Sequence, residues 1–401
     1  MKNTKNCRIG DSFLIIGKYG YNLNLHSKSL KVMVWWECSM SVWSGEYVSA
    51  VSAFSLRMTR LTERGFPVVH ERLAIGCKGP NEEDLAIDVA WIGPVDASRL
   101  LLSSSGVHGV EGFAGSAIQL SILDSLEALP EDTALAIIHI ANPYGMSWLR
   151  RVNESNIDLN RNFLLPGEEY AGEPVGYARL SPLINESSAP QRKDRFFLRA
   201  LWYVFRNGFS ATKQAFAEGQ YSRPECLQYG GSALEKGPEL IIDWLEENLT
   251  SVERCLWIDL HTGLGKAGED TLLVEFEESD PRLEELSSNF GPRITSLDPK
   301  AGIAYAIRGG MQAGVEARFP KIEWTSITQE FGTVSPFNVI KALRAENRWS
   351  QWGGSEGRDT LHHWSRKNLL DAFNMRDIAW RNRLIERGNA LYADGMKHIQ
   401  S

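Results

Sequence analysis

Short runs of consecutive apolar residues recur along the chain, and each run ends in polar residues or glycine. Runs of this kind are typical of strands that are buried on both faces of a sheet. They predict six strands, over residues 85–93, 99–105, 134–142, 255–263, 271–276 and 324–333. The pattern therefore predicts a central sheet that is covered on both sides.

Segments with helical periodicity lie between these predicted strands. In residues 115–129, Ile118, Ile122 and Leu129 fall on one face of a helix, and residues 238–249 and 279–290 show the same spacing. The segment 195–209, RFFLRALWYVFRNGF, is apolar on nearly all sides, which predicts a buried helix. Because strands and helices alternate, the sequence predicts a layered α/β domain.

The 401 residues, of which 43% are apolar, suffice for a large core. We expect an N-terminal extension of uncertain structure over 1–47, a main domain over 48–341 and a helical, tryptophan-rich segment over 342–401. The C-terminal segment has no strand candidate, and we expect it to pack on the main domain. The extension is assigned no function.

Charge, cysteine content and hydropathy restrict the class of protein. The net charge is −7 with interleaved signs and no basic stripe, which argues against a nucleic-acid partner. No run approaches the roughly 18 apolar residues of a membrane helix. The five cysteines are scattered, which favours a reducing compartment. We therefore expect a cytoplasmic protein with no membrane partner, and a homo-oligomer stays open.

The glycine-rich stretch 103–116, SSSGVHGVEGFAGS, carries His108 and Glu111 directly after a predicted strand. Residues three apart lie on one face of a helical turn, so an imidazole and a carboxylate can converge on one cation. Catalytic zinc takes three such ligands and leaves a position for water. The pair alone is weak evidence, because a histidine near a glutamate is common without a metal.

A second histidine, His261, ends the apolar run CLWIDLHTG. The carboxyl ends of strands are where α/β sheets place ligand-binding groups. His261 would complete a His-Glu-His set with His108 and Glu111, a set known for hydrolytic zinc. Alternatively, it only hydrogen-bonds at a strand end, and Asp259, which shares its face, is structural.

Arginines and asparagines cluster in residues 150–163, RRVNESNIDLNRNF. The planar guanidinium suits a carboxylate and an asparagine amide adds a donor, so this stretch is a candidate anion pocket. The alternative is a solvated loop with local hydrogen bonds.

Farther along, Glu330 lies near the end of the β-branched run TSITQEFGT. A carboxylate at this position either pairs with a cation, acts as a base or faces water from an edge strand.

One competing motif is GGSEG, residues 353–357, which fits the nucleophile-elbow pattern with His362 and His363 nearby. That elbow requires a buried strand before the serine, whereas the preceding residues have a helical pattern. A serine hydrolase using Ser355 is therefore a remote alternative.

The motifs SGVHGVEGFAGSAIQ, RRVNESNIDLNRNF, IDLHTGLG and EFGT occur in an order that resembles the zinc carboxypeptidase superfamily. Within it, the sequence is most similar to the uncharacterised carboxypeptidase-like branch related to succinylglutamate desuccinylase and aspartoacylase. The resemblance extends from about residue 48 to the C-terminus. It implies a three-layer α/β/α fold with a mixed, mostly parallel sheet.

The resemblance also implies a role for each motif residue. His108, Glu111 and His261 would bind one Zn²⁺, and Asp158 would orient a ligand imidazole. Glu330 would be the general base, and Arg151 would stabilise the oxyanion, with Arg150 as the alternative. Asn160 and Arg161 would hold the substrate's terminal carboxylate. Tyr305 matches the family's mobile tyrosine only by its approximate distance from Glu330.

The implied activity is zinc-dependent hydrolysis of an amide bond next to a free carboxylate. The expected partner is a peptide or small-molecule substrate with that carboxylate. An N-acyl amino-acid deacylase is the alternative, because the sequence shows no selector for the acyl side. A non-catalytic zinc-fold binding module is a remote alternative, since the ligand set and Glu330 are intact.

Overall fold

The computed structural model describes residues 6–9, 12–15, 41–297, 307–354 and 357–401. The chain divides into two compact units, Met1–Ser41 and Val42–Ser401. In the first unit the described residues form strand β1 (Asn6–Ile9) and strand β2 (Ser12–Ile15), which pair antiparallel. The remainder of the first unit up to residue 40 lies outside the described residues.

The second unit is built on an eight-stranded mixed sheet. Its strands are β3 (Val68–Lys78), β4 (Asp84–Ile92), β5 (Arg99–Ser105), β6 (Thr133–His139), β7 (Arg254–Ala267), β8 (Asp270–Val274), β9 (Ile294–Ser296) and β10 (Glu323–Gly332). Their order is β3-β4-β6-β5-β7-β10-β8-β9. The four central strands β6, β5, β7 and β10 are parallel, whereas β3, β4 and β8 join by antiparallel pairing.

The six predicted strands correspond to β4, β5, β6, β7, β8 and β10. Their side chains are buried almost throughout in β4, β5 and β6, as continuous apolar runs predict. Strand β3 is absent from the prediction because it is an edge strand with alternating, partly exposed residues and a polar sequence. Strand β9 has three residues and no distinct pattern.

Twelve α-helices surround the sheet in the described part of the second unit. They are α1 (Tyr47–Glu63), α2 (Gly112–Ser125), α3 (Pro143–Ser147), α4 (Val175–Ile184), α5 (Phe196–Asn207), α6 (Phe209–Ala217), α7 (Lys236–Asn248), α8 (Arg282–Phe290), α9 (Met311–Glu316), α10 (Pro336–Trp352), α11 (Trp364–Phe373) and α12 (Ile378–His398). Short 3₁₀ turns span Gly109–Glu111, Leu159–Arg161 and Gly357–His362.

The helices cover both faces of the sheet. On one face, α1, α2, α8 and α12 pack over alternate strand residues such as Leu101 and Ile258. On the other face, α7 and α9 pack over the intervening residues, including Leu102 and Trp257. Alternation along a strand sends successive side chains to opposite faces, which produces two separate cores. The predicted three-layer α/β/α fold with a mixed, mostly parallel sheet is therefore confirmed.

The prediction that residues 195–209 form a buried helix is wrong in its burial. Helix α5 forms, but among its residues only Phe196 is buried, while Leu198, Trp202 and Phe205 are exposed. One side of the helix faces α4, α6 and the start of α10, whereas its opposite side, with Leu198, Leu201 and Phe205, faces solvent. A segment that is apolar all round is not buried unless other elements cover every side.

The C-terminal helices belong to the same body as the sheet. The predicted boundary at 341/342 falls inside α10, and α12 contributes Leu384 and Leu391 to the core over which α2 packs. No strand occurs after β10 within residues 333–354 and 357–401. Within the described ranges, no helix has the length and apolar character needed to cross a membrane. Cys77, Cys226 and Cys255 are free thiols.

Candidate metal centre and active site

The loop that follows β5 is held by close backbone contacts. A Cβ at Gly109 would lie 2.0 Å from the carbonyl carbon of Gly145 in α3, so only glycine fits there. Gly109 N donates to the carbonyl of Arg151 (3.0 Å), and Val110 N donates to the carbonyl of Arg150 (2.9 Å). These contacts join the loop to the arginine segment and place His108 and Glu111 beside it.

His108, Glu111 and His261 come together at the carboxyl end of the parallel strands. His108 Nδ1 lies 2.9 Å from Glu111 Oε1, and His261 Nδ1 lies 3.2 Å from Glu111 Oε2. One donor atom from each of the three side chains lies within 4.8 Å of the other two, and all three side chains are buried. Residues that lie 3 and 150 positions from Glu111 in the sequence are thus brought together at one point.

Each imidazole of this set is oriented by a carboxylate on its opposite nitrogen. His108 Nε2 lies 3.1 Å from Asp158 Oδ1, and His261 Nε2 lies 2.6 Å from Asp259 Oδ2. Burial disfavours protonation of His261, but Asp259 and Glu111 outweigh it and hold its pKa well above its usual range. Burial likewise opposes ionisation of Asp158, but Arg151 and His108 hold its pKa well below its usual range.

This donor set fits a divalent metal ion. Two imidazole nitrogens and a carboxylate oxygen are typical ligands of catalytic zinc, and metal-bound imidazoles commonly have a carboxylate on the other nitrogen. In the described part of the chain, the buried Nδ1 of His108 has no hydrogen-bond partner, although Glu111 Oε1 is 2.9 Å away. A buried nitrogen without a hydrogen bond is costly, and a shared metal ion would satisfy it.

Behind His261 lies a chain of buried hydrogen bonds that the sequence does not predict. Trp257 Nε1 donates to Ser104 Oγ (2.7 Å), and the Ser104 hydroxyl donates to Asp259 Oδ1 (2.6 Å). Asp259 Oδ2 contacts His261, so Asp259 orients the imidazole rather than serving only as a structural residue. The contact depends on the register of β5 and β7, which pairs Ser104 with Asp259.

Glu330 lies beside the triad because β10 and β7 are parallel neighbours. The register pairs Glu330 with His261, and Glu330 Oε1 accepts a hydrogen bond from Leu264 N (2.9 Å). Burial raises the pKa of the Glu330 carboxyl, which His261 and Arg151 only partly offset. The side chain is therefore a candidate proton acceptor inside the site, not an edge-strand residue facing water.

The two arginines that the sequence left as alternatives have different surroundings. Arg151 Nη1 lies 3.2 Å from Glu111 Oε1 and its Nε lies 3.1 Å from Asp158 Oδ2, so Arg151 faces the triad. Arg150 Nε instead lies 2.9 Å from Glu346 Oε1 in α10. Arg151 lines the cavity of the site, whereas Arg150 is buried in a separate ion-pair network.

Asn160 and Arg161 follow Asp158 on a 3₁₀ turn that Asp158 caps, because its Oδ1 accepts from Asn160 N (3.1 Å). Asn160 Oδ1 accepts from Met311 N (2.9 Å). Arg161 is buried and donates through Nε and Nη2 to the carbonyl of Ala217 (3.0 and 2.6 Å). Both side chains reach the same cavity as the triad.

The triad, Arg151, Asn160, Arg161 and Glu330 all line one cavity of about 380 Å³. This volume is within the range of small-molecule sites in proteins. Asp158 lies behind His108 and Arg151 and does not line the cavity. Ser355 and Tyr305 both lie outside the described residues, and α10, not a strand, ends at Trp352 before the GGSEG motif.

The fold and the site define a layered α/β protein whose cavity contains a buried His-Glu-His set that could hold a metal ion. The chain belongs to the family described as protein of unknown function DUF2817, which matches residues 62–387. No curated protein matches the chain.

Several solved structures are similar to this chain at low sequence identity. Carboxypeptidase A from Helicoverpa armigera has 14% identity and a TM-score of 0.43, with 86% of this chain and 73% of that chain covered. Murein-tripeptide amidase from Escherichia coli O157 has 16% identity and a TM-score of 0.33, with coverage of 74% and 97%. An aspartoacylase family protein from Mesorhizobium loti has 17% identity and a TM-score of 0.34, with coverage of 72% and 69%.

Proposed function

We propose that the protein is a zinc-dependent hydrolase that cleaves an amide bond next to a free carboxylate. The observation that carries this proposal is the convergence of a buried His-Glu-His set, a buried glutamate and an arginine on one cavity. His108, Glu111 and His261 would hold the ion, with Asp158 and Asp259 orienting the two imidazoles. Bound Zn²⁺ supplies a water of lowered pKa and polarises a carbonyl group.

Glu330 and Arg151 carry out the proton transfer and the charge stabilisation. Glu330 takes the proton of the attacking water and delivers it to the leaving amine, a task suited to a carboxylate whose pKa burial has raised. Arg151, at 3.2 Å from Glu111, places a guanidinium beside the triad where negative charge develops on the carbonyl oxygen.

Asn160 and Arg161 hold the free carboxylate of the substrate. A guanidinium and an amide can donate several hydrogen bonds to one carboxylate, and burial strengthens such charge-assisted bonds. Arg161 has its position set by the carbonyl of Ala217. Fixing this carboxylate selects C-terminal residues of peptides or acylated amino acids, so carboxypeptidase and deacylase reactions share this machinery.

The proposal is tested by metal analysis combined with an activity screen. Purified protein is expected to contain about one zinc ion per chain and to release amino acids from C-terminal dipeptides or N-acyl amino acids. A chelator is expected to abolish the activity and added zinc to restore it. Substrates whose terminal carboxylate is amidated serve as the matched control and should react poorly. Full activity in chelator-treated, metal-free protein would contradict the proposal.

A further inference from the structure

The cavity that contains the triad has one apolar wall made of helices. Among the described residues that line it, those contributed by α4, α5, α6 and α10 are apolar except for Thr212 and Lys213. Representative members are Leu183 of α4, Phe216 of α6 and Ile340 of α10. By contrast, the wall formed by α9, β10 and the residue that follows β8 includes the polar residues Gln312, Thr328 and Glu275. The site therefore has chemically different sides.

One face of helix α5 lines the cavity. Phe196, Ala200 and Val204 line the cavity, and their spacing of four residues places them on one face of the helix. Leu198 and Leu201 lie on the exposed side and do not line the cavity. The small side chain of Ala200 leaves space between the two larger ones.

Ion pairs of one buried arginine connect the helices of this wall. Arg344 of α10 is buried and pairs with Glu186, which follows α4 (2.5 Å), and with Asp194, which precedes α5. Its guanidinium also lies over the ring of Phe196, 4.8 Å from the ring centroid. Phe196 stacks on Phe337 at the start of α10, with ring centroids 5.3 Å apart. The apolar wall is thus fixed in place by contacts that do not involve the triad.

We propose that this wall binds a long aliphatic acyl chain, so that the preferred substrates are fatty N-acyl amino acids. The inference rests on the proposed function, which fixes the two other parts of the substrate. Asn160 and Arg161 bind the carboxylate, and the metal ion together with Arg151 binds the scissile carbonyl group. The acyl substituent is then the part of the substrate that contacts the apolar helical wall, where burial of each methylene group favours binding.

The experiment measures binding, so that it is independent of turnover. N-acylglycines with acetyl, hexanoyl, decanoyl and dodecanoyl chains are titrated by calorimetry into the full-length Glu330→Gln protein, below their micelle concentrations. Hydrolysis of the same ligands by wild type is assayed separately. Affinity is expected to rise about fourfold for each buried methylene until the chain outgrows the cavity. An affinity that does not change with chain length would overturn the proposal.

Two variants of neighbouring residues give a matched comparison. Ala200→Trp fills the cavity, so the rise should stop at a shorter chain and dodecanoylglycine should bind at least about tenfold more weakly. Leu201→Trp adds the same side chain on the exposed face, and when it is made, like the blocking variants, in the Glu330→Gln protein, it should bind as that parent protein does. Val204→Trp provides a second blocking variant if Ala200→Trp does not fold. Equal affinities in the blocked and control variants would refute the assignment.

Two further ligands separate the alternatives. N-acetylphenylalanine places bulk on the amino-acid side, and tighter binding of it together with no effect of acyl length would assign the apolar wall to that side instead. Decanedioylglycine ends in a second carboxylate, and if it bound more tightly than decanoylglycine, the wall would select a charged chain end near Lys213. Chain-length-dependent binding without any hydrolysis would support the inference and contradict the proposed function.

Discussion

Asp259 Oδ2 lies 2.6 Å from His261 Nε2, two residues farther along the same strand. This carboxylate fixes the orientation of the imidazole whose other nitrogen faces Glu111. A carboxylate in such a position makes a metal-binding imidazole a stronger ligand. Asp259→Asn keeps the size of the side chain but removes its charge. We expect it to weaken zinc affinity by about 10- to 100-fold, measured by competition with a chromophoric chelator.

Asp243→Asn provides the control for that substitution. Asp243 is exposed on α7, so its replacement makes the same chemical change far from the triad. Its zinc affinity should equal that of wild type. Unchanged zinc affinity in Asp259→Asn would show that the contact between Asp259 and His261 does not support metal binding.

Much of the sheet could be predicted from the sequence because its central strands are buried on both faces. The runs over residues 100–102 in β5 and 134–138 in β6 are apolar at every position and buried, which is typical of a central strand. Strand β3 escaped prediction because an edge strand with one exposed face carries residues such as His70, Glu71 and Arg72, which are equally common in loops. Local pattern alone does not distinguish these cases.

The candidate site was predictable where its residues stand in short motifs, and not where it depends on tertiary contacts. His108, Glu111 and His261 were chosen from sequence, and the structure brings them together. The contact of Ser104 with Asp259 arises from strand register, which no local pattern specifies. Similarly, the glycine at 109 is required by the close approach of Gly145, a tertiary contact that no local pattern shows.

Glu330 and Leu264 share a hydrogen bond that a glutamine can also make, since Leu264 N donates to a side-chain oxygen. Glu330→Gln should therefore preserve the local structure and the zinc content while removing the proton acceptor. Turnover is expected to fall by about 10²- to 10⁴-fold, measured with the best substrate of the activity screen.

Glu323→Gln is the matched control, because Glu323 begins the same strand, is exposed and lies 3.6 Å from Arg254. Exposed ion pairs contribute about 1 kcal/mol or less, so this variant should retain its activity. If Glu330→Gln turned over substrate at the wild-type rate, a different group would have to accept the proton.

Arg151 and Arg150 are adjacent in sequence, but we expect their replacement to have different consequences. Arg151→Gln removes a guanidinium that faces the triad, so kcat should fall by about 10²- to 10³-fold. It also leaves the buried Asp158 without its cation, so the folded variant should be less stable than wild type as well. Arg150→Met removes the buried partner of Glu346 and Asn156, 2.9 and 2.7 Å away, and should cost about 3 kcal/mol of stability.

Steady-state kinetics of both variants measure kcat, and urea denaturation measures their free energy of unfolding. Folded Arg150→Met should retain a kcat close to that of wild type, because Arg150 does not line the cavity. A large loss of kcat in folded Arg150→Met, with normal kcat in Arg151→Gln, would reverse the assignment of the two residues.

His139 is expected to make the stability of the metal-free protein depend on pH. The ring is fully buried, stacks on Phe54 with centroids 4.4 Å apart and lies 2.8 Å from Ser116 Oγ. Burial lowers the pKa of His139 from its ordinary value of 6.5 to about 4, although Asp88 acts in the opposite direction. The folded protein therefore keeps this imidazole neutral at pH values where the unfolded chain protonates it.

The unfolded chain consequently binds more protons than the folded chain between pH 6.5 and pH 4. The free energy of unfolding should fall as the pH drops through this window, by roughly 3 kcal/mol from His139 alone. Urea denaturation in the presence of chelator, at several pH values from 7 to 4, measures this slope. His139→Gln should lower stability at pH 7 but give a shallower slope, because glutamine does not titrate. His362→Gln removes an exposed histidine and should keep the wild-type slope, whereas a wild-type slope in His139→Gln would exclude His139 as the source.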